Sequence, residues 1–542
     1  MTRAAGREAA LGQWQPPTAL YVMTMGNQRW RRLLATIVFA GTSLRHDVEA
    51  FTSSPFHSLR VERHDTTTST ASSLPTLHVP KPSHLTLLKA DASDESSLEE
   101  GSILGASLLF AGTAVGAGML ALPAETLDSG FIPTLSGLII CWVFTYVTSL
   151  ATLEASWTAL QLATADVVDE SSSSSEASGG TGGGGGTSFL SISRRALGVP
   201  GEIATGLLFW FLLTAIVVAY TAEGGQLIAQ FVDEISSSAI QVAPAIGSAI
   251  FAIFFGTLGT FGTSRIDAIN RVFVLGLVST FVGLVGFGLS QIDASNLISQ
   301  SDWTTLYPNL ISIGILSFGA QNVVPTLLNY LGGDPNRTRR AILFGSLAPL
   351  ALYTIWEAVF LGIVSVNGVA EESKMDVITV LGATGGPIIK DFVEVFSACA
   401  IGSSMAGASV SLVDFFEDGI GSFFKERGSD PLADENQESL GPSARILAAF
   451  LALGPPVILA YAFPDIFLVA LEEAGLLGGV SLYGILPALS LLSLRRFTAD
   501  ESDALQMPGR IGGGVIALYV LAGVSSLLVL PEVIHLGSLV TN

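Results

Sequence analysis

The sequence predicts an all-α polytopic membrane protein with about eleven transmembrane helices, two of them interrupted. Three observations predict it. The 542 residues are 49% hydrophobic and only 13% charged, with mean hydropathy +0.57; a soluble chain of this length would be about one quarter charged. The apolar residues gather into eleven runs, each near the ~20 residues that cross ~30 Å of hydrocarbon. The basic residues between those runs are one-sided. With the segment before Ile103 placed inside, the inside loops hold Arg194, Arg195, Arg265, Arg271, Arg337, Arg339, Arg340, Lys425, Arg427, Arg445, Arg495, Arg496 and Arg510, and the outside loops only Lys374 and Lys390. Lys and Arg prefer the non-translocated side. One helix more or fewer would scramble this pattern, so it supports both the count and an N-terminal side facing inward.

Residues 1–100 read as an address followed by a linker. Gln28 to Arg32 (QRWRR) is a basic n-region, and Leu33 to Leu44 is an apolar run too short to span. Residues 45–90 are rich in Ser, Thr, His and Pro, and VEAFTSSPF stands at the junction with Ala50–Phe51. The arrangement resembles a bipartite plastid presequence, which implies a plastid inner envelope; an ordinary secretory signal, or a start at Met23 or Met25, is the alternative. Ala90–Gly101 (ADASDESSLEEG) is an acidic linker.

The membrane domain, residues 101–531, follows. Its runs lie near 103–124, 131–157, 201–229, 243–261, 268–290, 306–329, 340–364, 386–413, 443–463, 466–494 and 511–531, leaving a short tail at 532–542. A Ser/Gly-rich stretch at 164–190 (SSSSSEASGGTGGGGG) has no means of forming a core and is expected to be a disordered loop. Residues 425–442 form a second polar loop.

The first run is not built like an anchor. GASLLFAGTAVGAGMLALP (Gly105–Pro123) carries glycines at 105, 112, 116 and 118, and each disfavours a helix interior by about 1 kcal/mol relative to alanine. GTAVGAGM (Gly112–Met119) is therefore expected to unwind and turn backbone groups toward a cavity, since unpaired backbone at membrane depth is tolerated only where protein or a water-filled site covers it. Tight helix crossing through small residues is the competing explanation. About two hundred residues later, LISIGILSFGAQNVVPTLLNYL (Leu310–Leu331) has apolar flanks but carries Ser317, Gly319, Gln321, Asn322 and Pro325 in its middle. Pro325 removes a helical hydrogen bond, and the two amides are costly near the midplane. Interrupted helices opening two units of five describe an inverted-repeat transporter with an eleventh helix appended.

Composition excludes several classes. The net charge of −21 does not suit nucleic acid. The two cysteines, Cys141 and Cys399, lie in apolar runs and frame neither a disulfide nor a metal site. Five of the six histidines precede Leu104, which leaves the spans without a histidine cluster or an HExxH pair and speaks against an enzyme, a metal or a cofactor. A channel or receptor would call for a filter-like repeat, a ring of charge or a ligand domain, and none is apparent.

GTAVGAGMLALP, the segment Ser317–Glu357 (SFGAQNVVPTLLNYLGGDPNRTRRAILFGSLAPLALYTIWE), SLVDFFEDG (Ser411–Gly419) and PPVILAYAFPDIFLVALEEAG (Pro455–Gly475) together resemble the aromatic amino acid permease family. The likeness runs from about Gly101 to Leu530. It implies eleven helices in the five-plus-five inverted-repeat fold of the amino acid–polyamine–organocation superfamily, and uptake of tyrosine or tryptophan with protons. Bacterial members usually carry an aromatic residue and a histidine after the SFG of the sixth helix; this chain has Ala320 and Gln321. Gln321 does not titrate, so a different neutral amino acid or sodium coupling stays open.

The fold implies roles for particular residues. Thr113, Ala114, Val115, Gly116, Ala117 and Gly118 should offer backbone amides to the substrate carboxylate, aided by a half-helix N-terminus. Ser317, Phe318, Gly319 and Ala320 should offer carbonyls to its ammonium, with Gln321 beside them. Tyr220 resembles an aromatic lid, or is an interfacial tyrosine; Ser403 and Ser404 line the cavity, or pack as small residues. Proton coupling needs a titratable group, and an ionised carboxylate at the bilayer centre costs about 2.5–3.5 kcal/mol on insertion scales. Glu357, mid-run, is the first candidate for a proton-accepting group. Glu223 and Glu154 follow, unless they are solvated at helix ends. Asp414 is expected to cap or to pair with an inside-loop arginine.

Overall fold

A computed structural model describes residues 101–116, 118–173, 188–236, 242–260, 263–299, 301–364, 377–427, 442–497, 507, 512 and 514–541. The presequence, most of the Ser/Gly-rich loop and most of the second polar loop lie outside the described residues. All described residues fall in one of the two units into which the chain divides, the other being Thr36–Glu100. Among the described residues every regular element is helical.

The first run forms two helices, α1 (Ile103–Ala114) and α2 (Gly118–Thr126), bent by 55° at the break between them. Then come α3 (Phe131–Ser173), α4 (Phe189–Ile235), α5 (Pro244–Thr260), α6 (Thr263–Gly288) and the short α7 (Ala294–Ser299). The second broken run is α8 (Asn309–Ser317) and α9 (Val324–Tyr330), followed by α10 (Pro335–Ile363), α11 (Val377–Gly385), α12 (Pro387–Arg427) and α13 (Pro442–Ala462). The tenth run is α14 (Phe467–Glu473), a wide π-helical stretch Ala474–Ile485 and α15 (Leu486–Phe497); α16 (Gly514–Thr541) closes the chain. All eleven apolar runs thus fall on helix. Nine described segments are long and apolar enough to cross a membrane, the bent α1–α2 pair is a tenth, and Pro244–Leu258 is shorter.

Several helices outrun their apolar cores. α3 continues to Ser173, ten residues into the stretch expected to be loop, because Thr164 to Glu170 contains no glycine or proline to stop a ladder that satisfies itself locally. α16 likewise continues past Pro531 to Thr541 instead of ending in a tail. Before its span, α4 holds a short segment with Arg194 and Arg195 that turns at Gly198 (φ 71°, ψ −164°), a conformation open to glycine, just ahead of Pro200.

Local chemistry sets the sharpest turn. Gly332 (φ 71°) and Gly333 (φ 77°) end α9, donating to the carbonyls of Asn329 and Leu328. Asp334 then caps α10 by accepting from the amides of Asn336 (2.8 Å) and Arg337 (3.2 Å), and Pro335 occupies the first turn. Arg337 also donates to the Gly101 carbonyl at 2.7 Å, fastening the start of α1 to this corner.

Burial separates interior from periphery. The apolar window of Phe467–Arg496 is 83% buried, whereas that of Gly514–Ser538 is 17% buried, so the first is central and the last faces outward. One core joins α1, α3, α9 and α10 through Phe110, Leu153, Leu327 and Ile342. A second joins α3, α4, α15 and α16, and a third packs α4 on the π-helical stretch around Leu212, Tyr483 and Leu486. Exposed side chains such as Phe450, Leu275 and Ile516 are apolar, as a hydrocarbon solvent requires.

Candidate functional site

The first break is short. Val115 is extended (φ −76°, ψ 111°), and its amide donates to Ala111 at 2.9 Å, closing the end of α1. The amides of Thr113 and Ala114 lie inside α1, so the helical ladder engages three of the six donors expected to face a carboxylate. Thr113 is exposed, and its hydroxyl bonds back to Leu109. In the first turn of α2, beginning at Gly118, the Met119 amide donates back to the Gly116 carbonyl at 3.1 Å, and the other amides of that turn are the donors a helix start leaves over. Ala117 lies outside the described residues.

The second break runs from Phe318 to Val323. Phe318 and Gly319 donate back to Gly314 and Leu316, and Ala320 (φ −136°, ψ 17°) leads into a tight turn over Gln321–Val323. Gln321 is fully buried and engaged on every side. Its Oε1 accepts from the Ala320 amide at 2.9 Å, and its Nε2 lies 2.9 Å from Thr148 Oγ1 and 3.3 Å from the Thr145 carbonyl. Expected beside the substrate, this side chain instead bolts the break to α3. A polar group at that depth must find partners, and α3 supplies them.

The two breaks abut. A β-carbon placed on Gly118 would lie 2.5 Å from Ser317 Oγ, and one on Gly116 would lie 2.6 Å from Ser404 Oγ. Ser404 on α12 is hydrogen-bonded to Tyr220 on α4. A β-carbon on Gly319 would meet the Tyr483 ring at 2.9 Å. The structure therefore brings Gly116, Gly118, Ser317, Gly319, Tyr220 and Ser404 together, although they come from four separate helical runs. Further out, Asn309 Nδ2 donates to Glu125 Oε2 at 2.6 Å, which ties α2 to α8.

These contacts give the glycines a test. Adding a methyl at Gly118 forces Ser317 to move, and overpacking of this kind costs about 1–3 kcal/mol. Gly118→Ala is expected to raise the KM for substrate counterflow roughly tenfold. Gly112→Ala, where a β-carbon meets nothing within 4 Å, should leave KM unchanged.

One face of α10 grips both sides of the first break. Tyr353, Trp356 and Glu357 are all 0% exposed. Tyr353 Oη lies 2.9 Å from the Ala114 carbonyl and 3.0 Å from that of Ser317; Trp356 Nε1 donates to the Met119 carbonyl at 2.9 Å. Glu357 Oε2 accepts from Thr126 Oγ1 at 2.6 Å, while its Oε1 has no hydrogen-bond partner among the described residues. Glu357 sits in the last two turns of α10, later along the helix than the apolar run suggested. Sequence reasoning passed over Tyr353 and Trp356, whose signal is the helical spacing of Tyr353, Trp356 and Glu357 on one face.

The other carboxylates are distributed differently. Glu154, expected as a coupling candidate or a solvated helix end, is 2% exposed and held by Arg495 in two 2.7 Å hydrogen bonds from Nε and Nη2. Glu223 is half-buried late in α4. Asp414 shares Arg445 with Glu417, at 3.2 and 2.8 Å, the arginine pairing expected of it. Glu473, 1% exposed where α14 meets the π-helical stretch, was not singled out in the sequence, where it is the second of two adjacent glutamates inside the tenth run. Among the described residues no group of His, Cys, Asp and Glu is placed to hold a metal ion.

Residues 99–530 match the tryptophan/tyrosine permease family. The chain is similar to the tyrosine-specific transport system 2 of Haemophilus influenzae, 28% identical over 80% of this chain and 97% of that one. It is also similar to the tryptophan-specific transport protein of Shigella flexneri, 28% identical over 79% and 94% of the respective chains. Among solved structures the fold resembles MhsT, crystallised with L-phenylalanine, with a TM-score of 0.50 and 14% identity over 79% of this chain and 97% of that one.

Proposed function

Because the chain belongs to the tryptophan/tyrosine permease family, we propose that it is a proton symporter of aromatic amino acids, tyrosine or tryptophan, working by alternating access. The observation that carries this reading is the meeting of half-helix ends. α2 begins at Gly118, directly against the end of α8 at Ser317. A helix start carries roughly half a positive charge and a helix end roughly half a negative one. Their juxtaposition is complementary to a zwitterion, with the carboxylate on the first-turn amides of α2 and the ammonium on the carbonyl ends of the other half-helices. Around them stand Phe318, Tyr220, Tyr353 and Tyr483, all buried, an aromatic setting suited to an aromatic side chain. The names of the relatives point the same way, one tyrosine-specific and one tryptophan-specific.

Glu357 is the residue we assign to proton coupling. It is buried, one of its oxygens has no partner among the described residues, and its other oxygen is bonded to α2, so its charge state is felt by the half-helix that meets the substrate. Glu154 is already neutralised by Arg495. Gln321 favours a second reading, in which the cargo is another neutral amino acid or the ion is sodium, since a non-titrating, α3-bound amide stands where bacterial relatives usually carry histidine.

The test is uptake of radiolabelled tyrosine by the full chain in liposomes. We expect uptake to be stimulated by an inward proton gradient, and blocked by tryptophan but not by leucine. Exchange of some other amino acid without tyrosine uptake overturns the substrate assignment, and stimulation by sodium instead of protons overturns the coupling.

A further inference from the structure

Ala114 is the last residue of α1 and Ser317 the last of α8, and both of their carbonyls lie within hydrogen-bonding distance of the Tyr353 hydroxyl, at 2.9 and 3.0 Å. A helix leaves its final carbonyls without an intrahelical donor, and they carry its partial negative charge. One fully buried hydroxyl thus draws together the negative ends of two half-helices, one from each half of the fold. Two such ends repel unless something positive stands between them. The hydroxyl supplies a single proton, whereas each carbonyl has two lone pairs, so acceptor capacity remains at the same point. The Tyr353 ring is itself held edge-on against Phe318, with centroids 5.1 Å apart.

We propose that Tyr353 is a positioning residue for the ammonium group of the substrate. By holding the carbonyl ends of α1 and α8 together, it makes them act as one acceptor site for a primary alkylammonium cation. The proposal rests on the reading of amino acid transport above and adds to it a determinant of selectivity for the amino group. Trp356, about one turn along the same face, serves as the comparison. Its bond to Met119 braces the first break from the other side but touches neither carbonyl end.

The experiment compares two ligands that differ in the ammonium alone, L-tyrosine and 3-(4-hydroxyphenyl)propionate, by equilibrium binding to the purified full chain. In Tyr353→Phe the ring volume is kept and the two carbonyl ends lose their shared donor. The preference for L-tyrosine over the des-amino acid should fall about tenfold, the scale of a hydrogen bond to a charged group. The affinity for the des-amino acid should stay within about twofold. Trp356→Phe should leave the preference unchanged, whatever it does to stability. Equal weakening of both ligands by Tyr353→Phe, or no change in either, overturns the proposal. If the chain binds another amino acid and not tyrosine, the aromatic assignment has failed. The same comparison, made with that amino acid and its des-amino counterpart, then decides the role of Tyr353 by the same two outcomes.

Discussion

Glu357→Gln is expected to abolish the stimulation of uptake by an inward proton gradient while leaving substrate counterflow running. Glutamine is nearly isosteric with glutamic acid, and its carbonyl oxygen still accepts from Thr126, where the native contact is 2.6 Å. The fold and the attachment of α10 to α2 are therefore preserved. What is lost is the ability to bind and release a proton. The side chain is 0% exposed, and burying a charge away from water is costly unless it is fully paired, so a proton taken up here has a large influence on which conformation is stable. Gradient-driven uptake should fall to the level without a gradient, with the KM for counterflow changed by less than about threefold, since no contact to the half-helix ends at the two breaks is touched. Persistent proton stimulation in Glu357→Gln would move the coupling group elsewhere, to Glu223 or Glu473.

Arg495→Ala should be the most destabilising single change among those considered. Arg495 and Glu154 form a bidentate pair, with side chains 9% and 2% exposed, joining α3 to α15. Removing one partner leaves a buried charge uncompensated, which costs about 3–5 kcal/mol. Replacing both by apolar residues of similar volume is often neutral, because the desolvation of both ions is then relieved. The check is thermal unfolding in detergent. Arg495→Ala should show a strongly lowered Tm, and the double change Glu154→Leu with Arg495→Met should recover most of it. An equal loss in the single and double variants would show that packing, not charge, holds these helices together. The same pair matches the Glu154 carboxylate on both oxygens with a guanidinium counterion.

Much of the architecture was legible because the membrane imposes it. Spans must be apolar, self-bonded and about twenty residues long, so the runs in the sequence fall on helices, from α1 to α16. The two interruptions were equally legible, since glycines 112, 116 and 118 and the polar cluster at 317–325 are expensive inside a buried helix. The breaks are narrower than those residues suggested: α1 runs through Gly112 to Ala114 and α2 resumes at Gly118, while α8 ends at Ser317 and α9 resumes at Val324, ahead of Pro325. Where the elements end was less legible: α3 runs to Ser173 and α16 to Thr541, since a helix beyond the bilayer can be carried by its own hydrogen bonds through polar sequence.

The sequence by itself determined the class of the molecule, the positions of its broken helices and the family to which it belongs, because these follow from local composition, spacing and motif. Only the tertiary structure decided which partners the polar residues in those spans meet. Glu154 and Glu357 are alike in sequence, each a single carboxylate in an apolar run. One meets Arg495 from a helix more than three hundred residues away, and the other is bonded to Thr126. Gln321 stood at the heart of a break and turned out to face α3, while Tyr353, unremarked among apolar neighbours, joins the ends of two half-helices. A buried polar group takes its role from its partners, and partners brought together across the fold leave no local trace in the chain.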